Sequence, residues 1–107
     1  MQGIYLKIYV PENQKHDGTL LYEWLLEQAK KMGIHGGSAF RAIAGYGRHG
    51  VLHEEAFFEL AGKLPVEVGF VVSEDEAAQM LALLKAEKLA LFYVKIGAEY
   101  GLAGEQS

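Results

Sequence analysis

Ile4, Leu6, Ile8 and Val10 alternate with Tyr5, Lys7 and Tyr9, and this period of two predicts a β-strand over residues 4 to 10 with two different faces. Pro11 ends it. After the polar run Glu12 to Gly18, Thr19 is the expected cap of a helix whose apolar positions Leu21, Trp24, Leu25, Ala29 and Met32 form one stripe. Gly33 is its expected stop. Strand chemistry returns over Ser38 to Gly45, with Phe40, Ala42 and Ala44 on one side and Arg41 and Ile43 on the other. The glycine-rich stretch from Gly45 to Gly50 opens a long connection to Leu64, within which Glu54 to Leu60 reads equally as a short helix or a strand extension. Pro65 to Val72 reads as a third strand. Ser73 followed by Glu76 is a capping box that starts a second helix, with Ala77, Met80, Leu81 and Leu84 inward and an end near Glu87. A fourth alternating strand is expected over Ala90 to Ile96, and the tail after Gly97 reads as loose.

The order β, α, β, long loop, β, α, β predicts an α+β chain with the ferredoxin-like βαββαβ sandwich, its two helices lying on one face of a four-stranded antiparallel sheet. The expected inward set is Ile4, Leu6, Ile8, Phe40, Val68, Phe70, Phe92 and Val94. The other face is then expected to carry Tyr5, Lys7, Tyr9, Arg41, Glu67, Val71, Tyr93 and Lys95. With Ile43 and Leu91 beside it, that face is too apolar to stay wet, so copies of the chain are expected to pack there.

At 107 residues the chain is long enough for one core, so a single domain over 1–107 is expected, its core at about 3–96 and a loose tail at 98–107. No stretch approaches the ~20 apolar residues of a membrane span, and the start runs directly into strand pattern, so neither membrane insertion nor an export signal is expected. The absence of cysteine removes disulfides and thiolate chemistry and suits a cytoplasmic setting. A net charge of −4, with arginine at positions 41 and 48 alone, offers no basic surface to follow a phosphate backbone, so no nucleic-acid partner is expected.

Gly45-Tyr46-Gly47-Arg48-His49-Gly50 permits two readings: a nest of backbone N–H groups around an anion with Arg48 adding charge, or a plain turn. It lacks the ending of a phosphate-binding P-loop. Arg41 is either a ligand arm or the partner of Glu67. His49 and His53, four residues apart, would need Glu54 or Glu55 to complete a metal set, and no metal site is expected; His16 and His35 read as surface residues. Tyr5, Tyr9 and Tyr93 are expected to pack across the sheet or an interface rather than on a ring-shaped ligand. No nucleophile with a base, metal triad or cofactor motif is present, so no catalysis is expected.

The run Phe40-Arg41-Ala42-Ile43-Ala44-Gly45-Tyr46-Gly47, then Leu64-Pro65-Val66-Glu67-Val68, resembles the PII-like proteins catalogued as domain of unknown function 190. Gly18 to Glu23, the Gly33 to Gly37 turn, Val51-Leu52-His53 and Ser73 to Glu76 extend the resemblance over about residues 3 to 96. It implies a homotrimer related to the nitrogen-regulatory PII proteins, whose clefts between subunits hold adenine nucleotides and whose long loop touches a regulatory protein partner. Carried over by position, Arg41 and Gly45, Tyr46, Gly47 and Arg48 match the edge that borders the cleft, with His49 beside them as a further ligand candidate, and Val51 to Leu64 match the partner loop within the long loop 45–64. The chain departs from the nitrogen-regulatory pattern after the two glycines, where it has Arg48-His49-Gly50, and before the fourth strand, where it has Lys85-Ala86-Glu87-Lys88-Leu89-Ala90 in place of a lysine-rich glycine turn. The resemblance therefore reaches the cleft but not the identity of its ligand. The copper-tolerance proteins of the same fold supply the rival reading, a metal-responsive or purely structural trimer with His49 and His53 as its test residues.

Overall fold

A computed structural model describes residues 1–45 and 64–105. Its elements are β1 (Gln2–Pro11), β2 (Lys15–His16), β3 (Thr19–Leu20), α1 (Leu21–Lys31), β4 (Gly37–Arg41), β5 (Pro65–Val72), α2 (Glu74–Ala86) and β6 (Phe92–Glu99). The four long strands form one antiparallel sheet in the order β4-β5-β1-β6. This is the ferredoxin-like arrangement expected from the sequence, with β1 and β5 central and β4 and β6 at the edges. Both helices lie on one face of the sheet.

The core follows from the two central strands. Ile4, Leu6, Ile8 and Val10 of β1 lie opposite Val72, Phe70, Val68 and Val66 of β5, and all eight are buried. Leu21, Trp24, Leu25 and Ala29 of α1, and Ala77, Met80 and Leu84 of α2, close over them. Phe70, Leu6 and Ile8 are fully buried, each contributing ~1.5–3 kcal/mol in apolar transfer. α2 starts at the expected capping box: Glu76 N–H donates to Ser73 Oγ at 3.1 Å, and Ser73 N–H to Glu76 Oε1 at 2.9 Å. Gly33, with φ of +86°, ends α1 as expected.

The edge strands differ from the sequence reading. Register places Phe40 opposite Glu67, and Phe92 opposite Tyr9, so both aromatic rings lie on the face away from the helices, as does Val94 opposite Lys7. Arg41, Tyr93 and Lys95, expected on that open face, lie on the helix side instead. A one-residue change of register exchanges all side chains between faces, and an alternating edge strand does not reveal which of two apolar faces the helices cover. In β4 the cause is steric. A Cβ on Gly37 would stand 2.5 Å from the ring of Phe70 and 3.1 Å from Leu26, so the small residues Gly37 and Ala39 must face the helices. In β6, Lys95 Nζ lies 3.6 Å from Glu74 in the acidic first turn of α2.

Other boundaries moved. β4 stops at Arg41 rather than Gly45, and β6 begins at Phe92 and continues to Glu99, pairing Gln2, Gly3 and Ile4 with Glu99, Ala98 and Gly97. Thr19 is not the helix cap: it pairs with His16 in a two-residue hairpin turning on Asp17 and Gly18, both at positive φ. The cap of α1 is Leu20, without a side-chain bond, and Leu21 N–H donates to the Gln14 carbonyl at 2.8 Å. Residues 46–63, including the undecided Glu54 to Leu60, lie outside the described residues.

Candidate ligand site

Arg41 ends β4 at one edge of the sheet, where its Nη2 lies 2.6 Å from Glu12 Oε2 just past the end of β1. Glu12 also donates its backbone N–H to the Leu64 carbonyl at 3.0 Å, and Ala42 N–H donates to the Pro65 carbonyl at 3.0 Å. The residues that flank segment 45–64 are thus tied together through Glu12. The Arg41 side chain remains 64% exposed, so the ion pair contributes only ~0–1 kcal/mol, and its guanidinium stays open to an anion approaching the edge. Arg41 does not pair with Glu67. That carboxylate takes Lys7 Nζ at 3.7 Å and the Tyr9 hydroxyl at 3.2 Å on the open face. Of the other expected ligand residues, Gly45 is exposed at the end of the described run. Tyr46, Gly47, Arg48 and His49, together with His53, lie outside the described residues.

The opposite edge carries a feature that residue types alone did not single out. An open hollow of about 420 Å³ lies between the end of α2 and β6, floored by Leu84, Leu89, Leu91 and Tyr93 and rimmed by Lys85 and Lys88. Leu91, expected to join the open-face patch, belongs to this hollow. Lys88 sits at φ +59°, where its N–H donates to the Lys85 carbonyl at 3.0 Å and the next N–H, of Leu89, donates to Leu84 at 2.9 Å. This tight turn sets both ammonium-bearing residues beside an apolar bed. An apolar floor with cations at its rim is the chemistry that receives a flat ring bearing an anionic end. The signal in the sequence was the pair Lys85 and Lys88 three apart, legible as a departure from the nitrogen-regulatory pattern but not as a lining.

Arg41 and this hollow lie on opposite edges of the sheet, on the same helix side. Their rows are also close along the strands: Arg41 aligns through Val66 with Val10, and Tyr93 with Ile8. Within one chain the sheet separates them.

The face away from the helices carries Tyr5, Tyr9, Phe40, Val71, Phe92, Val94 and Ile96 around Lys7 and Glu67. Phe40, Val71, Phe92 and Ile96 are each 43–59% exposed. The Tyr9 and Phe92 rings pack 5.6 Å apart, and Lys7 stands 5.4 Å over the Tyr5 ring. Burial pushes the Tyr9 phenol up from its ordinary range, with the Glu67 charge and hydrogen bond adding to the effect. Ile43, expected within this patch, is exposed beyond the end of β4.

His16 is not a plain surface residue. Its ring is 4.6 Å from that of Trp24 in an edge-on arrangement, and its Nε2 lies 2.8 Å from Glu87 Oε1. His35 is exposed, as expected. Among the described residues, no helix is long and apolar enough to cross a membrane.

Comparison with known proteins agrees with the architecture. Residues 3–91 match the family DUF190, described as "Uncharacterized ACR, COG1993". A UPF0166 protein of Aquifex aeolicus is 35% identical over 82 residues, covering 77% of this chain and 78% of that protein. A UPF0166 protein of Methanocaldococcus jannaschii is 37% identical over 79 residues, covering 74% and 72%. A structure from Thermus thermophilus described as a PII-like signalling protein superposes with a TM-score of 0.63 at 22% identity, over 92% of this chain and 88% of that one. The nitrogen regulatory PII-like protein CPII of Thiomonas intermedia, bound to ADP, AMP and bicarbonate, superposes with a TM-score of 0.59 at 14% identity, over 95% and 98%. With the sheet order, the two covering helices and the family match in agreement, the chain belongs to the DUF190 family and has the PII-like fold.

Proposed function

We propose that this protein is a cytoplasmic, non-catalytic PII-like regulator: a homotrimer that binds a small anionic metabolite, an adenine nucleotide by its chemistry, in clefts between copies. The observation that carries the reading is the division of a candidate binding surface between two sheet edges. Arg41 supplies a guanidinium at one edge, and the hollow at the other supplies an apolar bed with Lys85 and Lys88. An adenine ring suits the bed and a phosphate suits the cations. CPII, which shares the fold, binds ADP, AMP and bicarbonate, and this supports the choice of ligand class.

Copies pack through the open sheet face, where Val71, Tyr5 and Ile96 form one apolar row across three strands. Such a patch is costly to leave in water. Ligand occupancy acts on segment 45–64 because its flanking residues Arg41 and Leu64 are both held by Glu12. Taking Arg41 into a ligand contact releases one of those ties, which couples ligand binding to the affinity of segment 45–64 for a regulatory protein partner. Gly45, Tyr46, Gly47, Arg48 and His49 add backbone donors and charge at the cleft edge.

The test is calorimetric titration with AMP, ADP and ATP of the purified protein, and of Arg41→Ala and the double variant Lys85→Ala/Lys88→Ala. Saturable binding that both variants weaken at least tenfold is expected. Binding that both leave unchanged, or heat from none of the three nucleotides, overturns the proposed function.

A further inference from the structure

A second group of side chains converges away from the cleft edge. His16 closes β2, Asp17 occupies the hairpin turn, and Glu87 caps the C-terminal end of α2. His16 Nε2 is 2.8 Å from Glu87 Oε1 and 3.6 Å from Asp17 Oδ2, and one donor atom from each of the three lies within 4.8 Å of the others. Around a tetrahedral ion with bonds of about 2.0–2.2 Å, ligand atoms stand roughly 3.3–3.6 Å apart. The three donors lie close to that spacing, none further than 4.8 Å from another. The His16–Asp17 separation already matches it, and an ion requires the His16–Glu87 hydrogen bond to open by part of an ångström.

Two observations distinguish the cluster from an ordinary surface pair. Glu87 places a carboxylate at the carbonyl end of a helix, where the aligned peptide dipoles disfavour negative charge and favour a cation. The His16 side chain is only 16% exposed and is held edge-on against Trp24, itself buried in the core, which fixes the ring with Nε2 toward both carboxylates. One imidazole and two carboxylates, with a fourth position left to water, suit a first-row divalent cation.

We propose that His16, Asp17 and Glu87 form a binding site for a divalent transition-metal ion of the zinc and nickel type. The ion bridges the β2–β3 hairpin and the end of α2, and so braces the turn whose next residue, Lys88, rims the hollow. This site shares no residue with the proposed cleft between copies and uses neither His49 nor His53.

Trp24 is the single tryptophan of the chain, so its emission reports on the site without interference. The experiment is titration of the full-length protein with Ni²⁺ alone, followed by displacement with Zn²⁺. The expected result is saturable quenching of Trp24 at micromolar Ni²⁺, reversed by Zn²⁺. Asp17→Asn, which tolerates the left-handed turn, and Glu87→Gln should each raise the half-saturation concentration at least tenfold while keeping the melting temperature in chelator. The double variant His49→Ala/His53→Ala should titrate like the wild type. Quenching that never saturates, that is unchanged in Asp17→Asn and Glu87→Gln, or that is lost in the His49/His53 double variant, overturns the proposal.

Discussion

The guanidinium of Arg41 and the carboxylate of Glu12 meet at 2.6 Å, while the backbone N–H of the same Glu12 holds the Leu64 carbonyl at 3.0 Å. One residue therefore touches both flanks of segment 45–64, through its side chain on one and its backbone on the other. Since the Arg41 side of the ion pair is largely exposed, its loss should change folding stability by less than ~1 kcal/mol. Glu12→Gln should, however, free Arg41 for an anionic ligand and tighten nucleotide binding a few-fold by calorimetry. Unchanged or weaker binding in that variant would mean that Glu12 and ligand do not compete for Arg41.

Gly37 and Gly69 pose a matched steric test. A Cβ at Gly37 would stand 2.5 Å from Phe70, which is fully buried and has nowhere to move. A Cβ at Gly69 would stand 2.8 Å from the outer ring atoms of Tyr5, a half-buried side chain on the open face that can swing outward. Gly37→Ala is expected to cost ~1–3 kcal/mol in urea denaturation, and Gly69→Ala less than Gly37→Ala in the isolated chain. The reverse order would contradict the register of β4 against β5.

The open face should respond to charge. Val71 and Ile96 flank Tyr5 in one row, and if copies pack there as proposed, a carboxylate at either position would have to be desolvated. Val71→Asp and Ile96→Asp are expected to convert a trimer to monomers at micromolar concentration in sedimentation, with the far-ultraviolet circular dichroism unchanged. A trimer that persists in both variants would place the contact between copies elsewhere.

Tyr9 gives a pH signature. Its phenol is held above the ordinary tyrosine range chiefly by burial and then by Glu67, so the folded state favours the protonated form. The sign follows directly: this contribution is complete below pH 10, and stability falls as pH rises from 10 through the raised value, because the unfolded chain gives up the proton first. Absorbance titration in the near ultraviolet should show a late-ionising component that disappears in Tyr9→Phe. In Glu67→Gln it should move only part of the way down, since desolvation is the larger cause.

The sequence makes the central strands legible because both are buried on one face: β1 carries unbroken alternation, and Pro65 to Val72, rich in β-branched residues, is bounded by Pro65 itself and by Ser73, the start of a capping box. The edge strands are misread by face. Phe40 and Phe92 look like core residues, and only the contact between Gly37 and Phe70, and the pairing of Phe92 with Tyr9, turn them outward. The hairpin at Asp17-Gly18 carries a recognisable turn signal, yet Thr19 looks equally like a helix cap, and tertiary pairing with His16 decides between them. Arg41 is legible as a candidate from the family resemblance. The hollow and the His16–Glu87 contact are not, since each joins positions brought together by folding, the latter 71 residues apart in the chain.

The most direct test of a nucleotide-responsive regulator is thermal unfolding of the wild-type protein with and without AMP or ADP at millimolar concentration. A ligand at about 100 times its Kd stabilises the folded state by ~2.7 kcal/mol, which raises Tm by roughly ten degrees in a chain of this length. The expected result is a rise of that order that is lost in Arg41→Ala and in Lys85→Ala/Lys88→Ala. A Tm unmoved by either nucleotide would contradict a nucleotide-binding role.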